Sequence, residues 1–169
     1  MCKKIAPLLC LLMILPLFSL SAQAKMIYEL KWEELMPEMD EKVFQQFQEG
    51  EIERDDVIAY LDSIATEPTS ELNGKTVRIP GFLVPLDFKD GMKSTELLLV
   101  YTMGACVHVP APPPNQTIYI KYPKGIKVTS AGYTPYVLEG VLRVDDFESK
   151  LADAVYTMEV TSIKEITIN

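Results

Sequence analysis

Cys106 and His108 stand two positions apart, and His108 is the single histidine among 169 residues. The sequence holds three cysteines, but Cys2 and Cys10 fall in an apolar leader, so Cys106 is the one thiol expected in the mature chain. A thiol and an imidazole so placed suit two chemistries. As a thiolate, Cys106 could join His108 in binding a soft or borderline metal such as Zn or Cu(I). Alternatively, a charged His108 would lower the thiol pKa and make Cys106 a nucleophile. The prolines that follow, at 110 and 112 to 114, favour extended polyproline II backbone. In extended chain, residues i and i+2 share a face, so the spacing predicts that Cys106 and His108 project to one side.

Neither chemistry is complete on these residues. Structural zinc takes four protein ligands, and catalytic zinc takes three plus water. With no second His or mature Cys, a carboxylate, the Met103 thioether in a copper(I)-like set, or a second protomer would have to finish a site built on Cys106 and His108. Cys106, His108 and Asn115 are the residue types of a thiol hydrolase, although a spacing of two does not by itself give hydrolytic geometry. The plain alternative is a buried cysteine beside a histidine that satisfies a backbone carbonyl. Around the pair, Gly104, Pro110, Pro112, Pro113, Asn115 and Gln116 read as the loop's scaffold. The prolines form a stiff rib or a partner surface, and the two amides satisfy loop backbone. No catalytic residue is assigned, and no phosphate loop, dinucleotide fingerprint or Gly-x-Ser-x-Gly elbow occurs.

The leader has the form of a secretory signal. Lys3 and Lys4 precede an apolar run from Ile5 to Leu20, and Ala22-Gln23-Ala24 supplies the small residues for cleavage before Lys25. A membrane span needs about 20 apolar residues, and Pro7 and Pro16 interrupt this run. Lipidation at Cys10 is rejected, because Leu9 is not the small residue expected before a lipidated cysteine. The reading is therefore a periplasmic protein with no stable membrane anchor after cleavage. Losing Lys3 and Lys4 shifts the net charge from −8 toward −10. Such an acidic surface argues against nucleic acid or an anionic membrane as partner.

Two blocks follow the leader. From Trp32 to Ile64 the apolar spacing is helical: Val43, Phe44 and Phe47 precede a stop at Gly50, and Asp55 or Asp56 can cap a second helix through Ile64. The acidic stretch Glu49 to Asp56 reads as a solvated face. From Asn73 the period changes to that of strands, with a bend at Gly81. A doubly buried run spans Leu97 to Tyr101, and alternation marks Thr117 to Tyr122. Tyr136 to Val144 follows, with Gly140 at a tight coil, then a short helix from Asp145 or Asp146 to Ala152 and a last strand from Val155. The expected division is a signal peptide over 1–24, a helical segment over 25–71 and a small β domain over 72–169. The expected class is α+β, mainly β, as a small antiparallel OB-like barrel with an N-terminal helical segment. An open sheet covered by the helices is the alternative.

Three stretches carry a resemblance. They are Gly81-Phe82-Leu83-Val84-Pro85-Leu86, the run Leu97 to Tyr101, and Gly104-Ala105-Cys106-x-His108-x-Pro110-x-Pro112-Pro113-x-Asn115-Gln116. With the Trp32, Leu35 and Pro37 opening, they resemble an exported bacterial family catalogued as a domain of unknown function. The resemblance implies a small barrel domain that acts as an accessory of envelope transport systems or metal homeostasis. It brings no established activity. The overall reading is a non-enzymatic periplasmic binding or accessory protein, whose partner is an envelope transport system or another periplasmic protein. The other readings are a redox or hydrolytic enzyme using Cys106, and an interaction barrel with a structural Cys and His.

Overall fold

The computed structural model describes residues 26–87, 93–106, 108–128 and 130–167. The signal peptide expected over 1–24, its cleavage point before Lys25, Val107 of the loop motif and the expected strand end at Ile168 lie outside the described residues. The chain is mainly β. Strands β1 (Tyr28–Glu29), β2 (Thr76–Pro85), β3 (Lys93–Val100), β4 (Thr117–Lys127), β5 (Pro135–Phe147) and β6 (Ala154–Glu165) join in one sheet. Two helices, α1 (Glu41–Gln48) and α2 (Arg54–Ile64), precede β2. The order across the sheet is β1-β2-β3-β4-β6-β5, and β2 also pairs with β5. β4 and β6 run parallel, as do β1 and β2, and the other pairs are antiparallel.

The alternation read in the sequence becomes the core. Val77, Ile79 and Leu83 of β2, Ile118 and Ile120 of β4, and Leu138 and Leu142 of β5 are all fully buried in one cluster. Leu97 and Leu99 join that cluster, while Leu98 and Val100, on the opposite face of β3, enter a second one with Val84, Ala105 and Ala152. Hence β3 is buried on both faces from Leu97 to Val100, but Tyr101 stands outside it with 60% of its surface exposed. Burying each such side chain contributes roughly 1.5–3 kcal/mol.

The two internal glycines sit where strands approach too closely for a side chain. β2 pairs with β5 through Phe82 and with β3 from Phe82 onward, so its partner changes beside Gly81. A Cβ at Gly81 would come within 2.8 Å of the Val100 oxygen, and one at Gly140 within 2.5 Å of the Glu159 oxygen.

Two expectations are corrected. Asp145 and Asp146 lie inside β5, and residues 148–153 form no helix; strand pairing of Phe147 with Ala154 carries β5 past the acids that resembled a cap. The cap of α2 is Glu53, whose N–H donates to the Asp56 carboxylate at 2.9 Å, so the aspartate acts from inside the first turn. The helices also contribute little to the core. α1 packs on α2 and buries no residue, and α2 buries Ile64 alone. The N-terminal segment is held instead by Leu30, Trp32 and Leu35 in the main cluster. The Trp32 ring N–H donates to the Pro80 oxygen at 2.7 Å. The fully buried Tyr156 hydroxyl donates to the Leu35 oxygen at 2.8 Å and accepts from the Thr69 N–H at 2.5 Å. No described helix is long and apolar enough to cross a membrane.

Candidate functional site

The segment from Gly104 to Gln116 links β3 to β4, and its two halves behave differently. The first half is a folded turn. Gly104 and Cys106 both adopt left-handed backbone, with φ of 78° and 62°. The Gly104 oxygen accepts from the N–H groups of His108 (2.9 Å) and Val109 (3.3 Å), and the Cys106 N–H donates to the Val109 oxygen at 3.1 Å. This corrects the extended conformation expected from the prolines. Proline fixes its own φ and restricts the residue before it, so Pro110 leaves Gly104 to His108 free to turn.

The turn separates the surroundings of the two chemical residues. Cys106 is half-buried and packs against the cluster of Val84, Leu98 and Val100. His108 is exposed, with its ring 5.9 Å from that of Tyr133 at a tilt of 51°. No hydrogen bond joins the pair. Burial pushes the Cys106 thiol pKa above its ordinary value, the reverse of what a nucleophilic thiolate requires. Left-handed backbone at a residue with a Cβ costs about 1–2 kcal/mol, so the packing around Cys106 must hold it there. Met103 is 58% exposed. Among the described residues, no three His, Cys, Asp or Glu side chains gather closely enough to hold a metal ion.

Gly104 also fixes the turn to its neighbour. Its N–H donates to the Gly132 oxygen at 2.7 Å, and a Cβ there would meet the Tyr133 hydroxyl at 3.2 Å. Tyr133 is therefore part of this surface, a role that sequence reading missed because nothing near it in sequence carries chemistry. Val109, Pro110 and Pro113 are exposed beside it, and Pro112 is half-buried.

The second half of the segment is a clamp. Asn115 is fully buried, and its side-chain amide donates to the oxygens of Ile64 (2.9 Å) and Glu67 (3.2 Å). Its backbone N–H donates to the Ala65 oxygen at 3.0 Å. The carbonyls at the end of α2, which have no partner within the helix, are thus met from the loop. The Gln116 amide donates to the Trp32 oxygen at 3.0 Å, and the Pro113 oxygen accepts from the Thr117 hydroxyl at 3.2 Å. Both amides satisfy backbone groups, as the sequence suggested, but the groups belong to the N-terminal segment as well as to the loop.

Two further features had no sequence signal. Asp87 accepts from the Ser94 and Thr95 hydroxyls and from the N–H groups of Thr95 and Glu96, at 2.7–2.9 Å. Desolvation pushes its carboxyl pKa up, but these four donors outweigh that effect and hold it well below the usual carboxylate range. The bracket sits at the irregularity in β3 between Ser94 and Glu96. Separately, a groove of about 990 Å³ opens between the stretch Trp32 to Met39 and the turn Glu67 to Leu72, with Tyr101 and Gln116 also in its lining.

Comparison with known proteins places the chain. No curated protein matches it. A crystal structure of a DUF3299 family protein from Pseudomonas aeruginosa PAO1 is similar at 27% identity with a TM-score of 0.63, covering 85% of this chain and 99% of that one. A family model described as a protein of unknown function matches residues 32–165, most of the described chain and all of the Gly104 to Gln116 segment, and the chain therefore belongs to the DUF3299 family.

Proposed function

We propose that this chain is a non-enzymatic binding or accessory domain of the bacterial envelope, exported through its leader, that contacts a partner through the Gly104–Pro113 turn. The observation that carries this reading is the inward thiol and outward imidazole of one rigid turn. Cys106 is half-buried against the β3 cluster with its proton held more firmly than usual, while His108, Val109 and Tyr133 face solvent on backbone fixed by several hydrogen bonds. A surface ordered before binding loses less entropy when a partner docks. Pairing from β2 through β3, β4, β6 and β5 back to β2 supports the finer reading of the scaffold as an OB-like barrel. The partner implied by the family resemblance is an envelope transport system or another periplasmic protein.

A soft-metal form of the same reading uses Met103, Cys106 and His108. Its support is that Met103 and His108 are both exposed on this one turn. Zinc suits the donor set less well than copper(I), since zinc seldom takes a thioether and, among the described residues, no group of three His, Cys or carboxylate ligands gathers.

Alkylation of Cys106 by iodoacetamide as a function of pH tests the reading, with intact mass as the readout. The expected rate keeps rising past about pH 8.5, the ordinary thiol value. A plateau below about pH 7 means a stabilised thiolate, and overturns the reading in favour of a thiol enzyme. Metal analysis of the same preparation decides the soft-metal form: a stoichiometric copper signal lost in both Cys106→Ser and His108→Ala supports it, and its absence removes it.

A further inference from the structure

The groove beside the N-terminal segment is separate from the Cys106–His108 turn and has a chemistry of its own. Its base is aromatic. Trp32 is pinned by its bond to Pro80, and the exposed Tyr101 leans on it with ring centroids 6.0 Å apart at 52°. At the other end, the Tyr28 ring carries the Lys75 ammonium 5.2 Å from its centroid, so an aromatic wall of this groove already receives a cation.

The charges are one-sided. Among the described residues, Glu33, Glu34, Glu38, Glu67 and Glu71 line the groove against Lys75 alone. Glu34 is engaged by the Tyr28 hydroxyl and the Lys31 N–H. Among the described residues, arginine pairs with Glu29, Glu139 and Glu159, and no cation pairs with the other four groove carboxylates.

The groove is also large and partly apolar. Met36, Met39 and Leu72 contribute to it, and Met39 also lines an adjoining depression of about 390 Å³ beside Phe44. Met39 and Phe44 are 55% and 59% exposed. The larger hollow alone reaches the upper end of ordinary small-molecule sites, at roughly 1,000 Å³. A single small ammonium ion would leave most of it unfilled.

From these features we infer that the groove binds an extended, basic peptide segment of a partner protein, with Lys or Arg side chains meeting the glutamates and Tyr101, and apolar side chains seated against Met36, Met39 and Phe44. Four unpaired carboxylates select for cations and against acidic chains by charge complementarity. The aromatic base adds attraction for a guanidinium or ammonium at its face. The joined apolar hollows favour a chain over a free amine.

The test uses the whole chain and a fluorescein-labelled nonapeptide of lysines alternating with leucine and glycine, followed by anisotropy. Binding is expected, weakening as salt is raised, because the attraction is screened. Tyr101→Ala, and separately the quadruple replacement of Glu33, Glu38, Glu67 and Glu71 by Gln, should each weaken it by about tenfold or more, the scale of a substantial contact. These side chains are exposed, so the variants should keep the parent's melting temperature. Asp145→Asn with Asp146→Asn, which removes charge outside the groove, and His108→Ala should leave binding unchanged. The inference is overturned if the peptide does not bind, if a glutamate-for-lysine peptide binds equally, or if the Asp145/Asp146 variant loses as much affinity as the quadruple variant. Displacement of the peptide by spermine at matched charge concentration overturns it in favour of a small-amine site. Loss of binding in His108→Ala assigns the peptide to the turn and overturns the groove.

Discussion

Replacing Asn115 by Ala should cost the protein about 2–4 kcal/mol. The side-chain amide gives two bonds, to the Ile64 and Glu67 oxygens, and the residue is fully buried. Each bond is worth about 1 kcal/mol net; the Ile64 oxygen keeps its bond from the Glu67 N–H, and the space emptied in a fully buried site adds roughly 1–2 kcal/mol of lost packing. The Asn115 side-chain oxygen has no partner of its own, so deleting it relieves part of that loss. Thermal melts by far-UV circular dichroism should therefore show a fall of about 6–14 °C for a domain of this size. Asn115→Asp keeps the shape and sharpens the argument. A buried carboxyl facing two carbonyls has its folded pKa raised above the unfolded value of about 3.9. The variant should then be at its best below about pH 4, where it is protonated and can donate one bond. It should lose about 1.4 kcal/mol per pH unit until the folded pKa is passed. An Ala variant within about 0.5 kcal/mol of the parent, or an Asp variant whose melting temperature does not fall between pH 4 and 7, would refute the clamp.

Asp87→Asn removes a carboxylate whose pKa is held low by its donors. In the parent that contribution is complete above about pH 4 and fades as the pH drops further. The variant should lose about 1.5–3 kcal/mol in urea titrations at pH 7 and show a flatter acid limb than the parent. Gly140→Ala must displace the Glu159 oxygen 2.5 Å from the new methyl. It should cost more than about 2 kcal/mol by the same titration, an amount typical of forced strand separation. For export, intact mass of protein released by osmotic shock should begin at Lys25; an acylated N-terminus, or recovery only with membranes, would overturn the proposal of an exported chain with no membrane anchor after cleavage.

Much of the sheet was legible because period-two alternation survives wherever a strand has one wet face. Ile118 and Ile120, or Leu138 and Leu142, announce themselves in this way, as does the unbroken run Leu97 to Val100, which has no wet face. Gly81 and Gly140 were legible for a different reason: a glycine inside a strand loses packing unless something crowds it. The folded turn was not legible. Its form depends on left-handed backbone at Cys106, which leaves no mark on residue type, and on bonds to Gly132 and packing against β3 that lie far away in sequence. The helix expected after Asp145 failed in the opposite direction. Local capping chemistry was present, but pairing with β6 took the same residues into a strand. The groove stayed hidden because its glutamates come from two separate segments, and neither is unusual alone.

The Tyr156 hydroxyl gives the fold an order of events. Its bond to the Leu35 oxygen closes a separation of 121 residues, and its bond from the Thr69 N–H closes one of 87. Both latch the N-terminal segment to the last strand. That segment cannot reach its final place until nearly the whole polypeptide is available, however early it is made. Contacts this distant are slow to form, because the loop they close must first be drawn together. The Trp32 to Leu72 region should therefore gain protection from hydrogen exchange late in refolding, after β2 to β5 have paired.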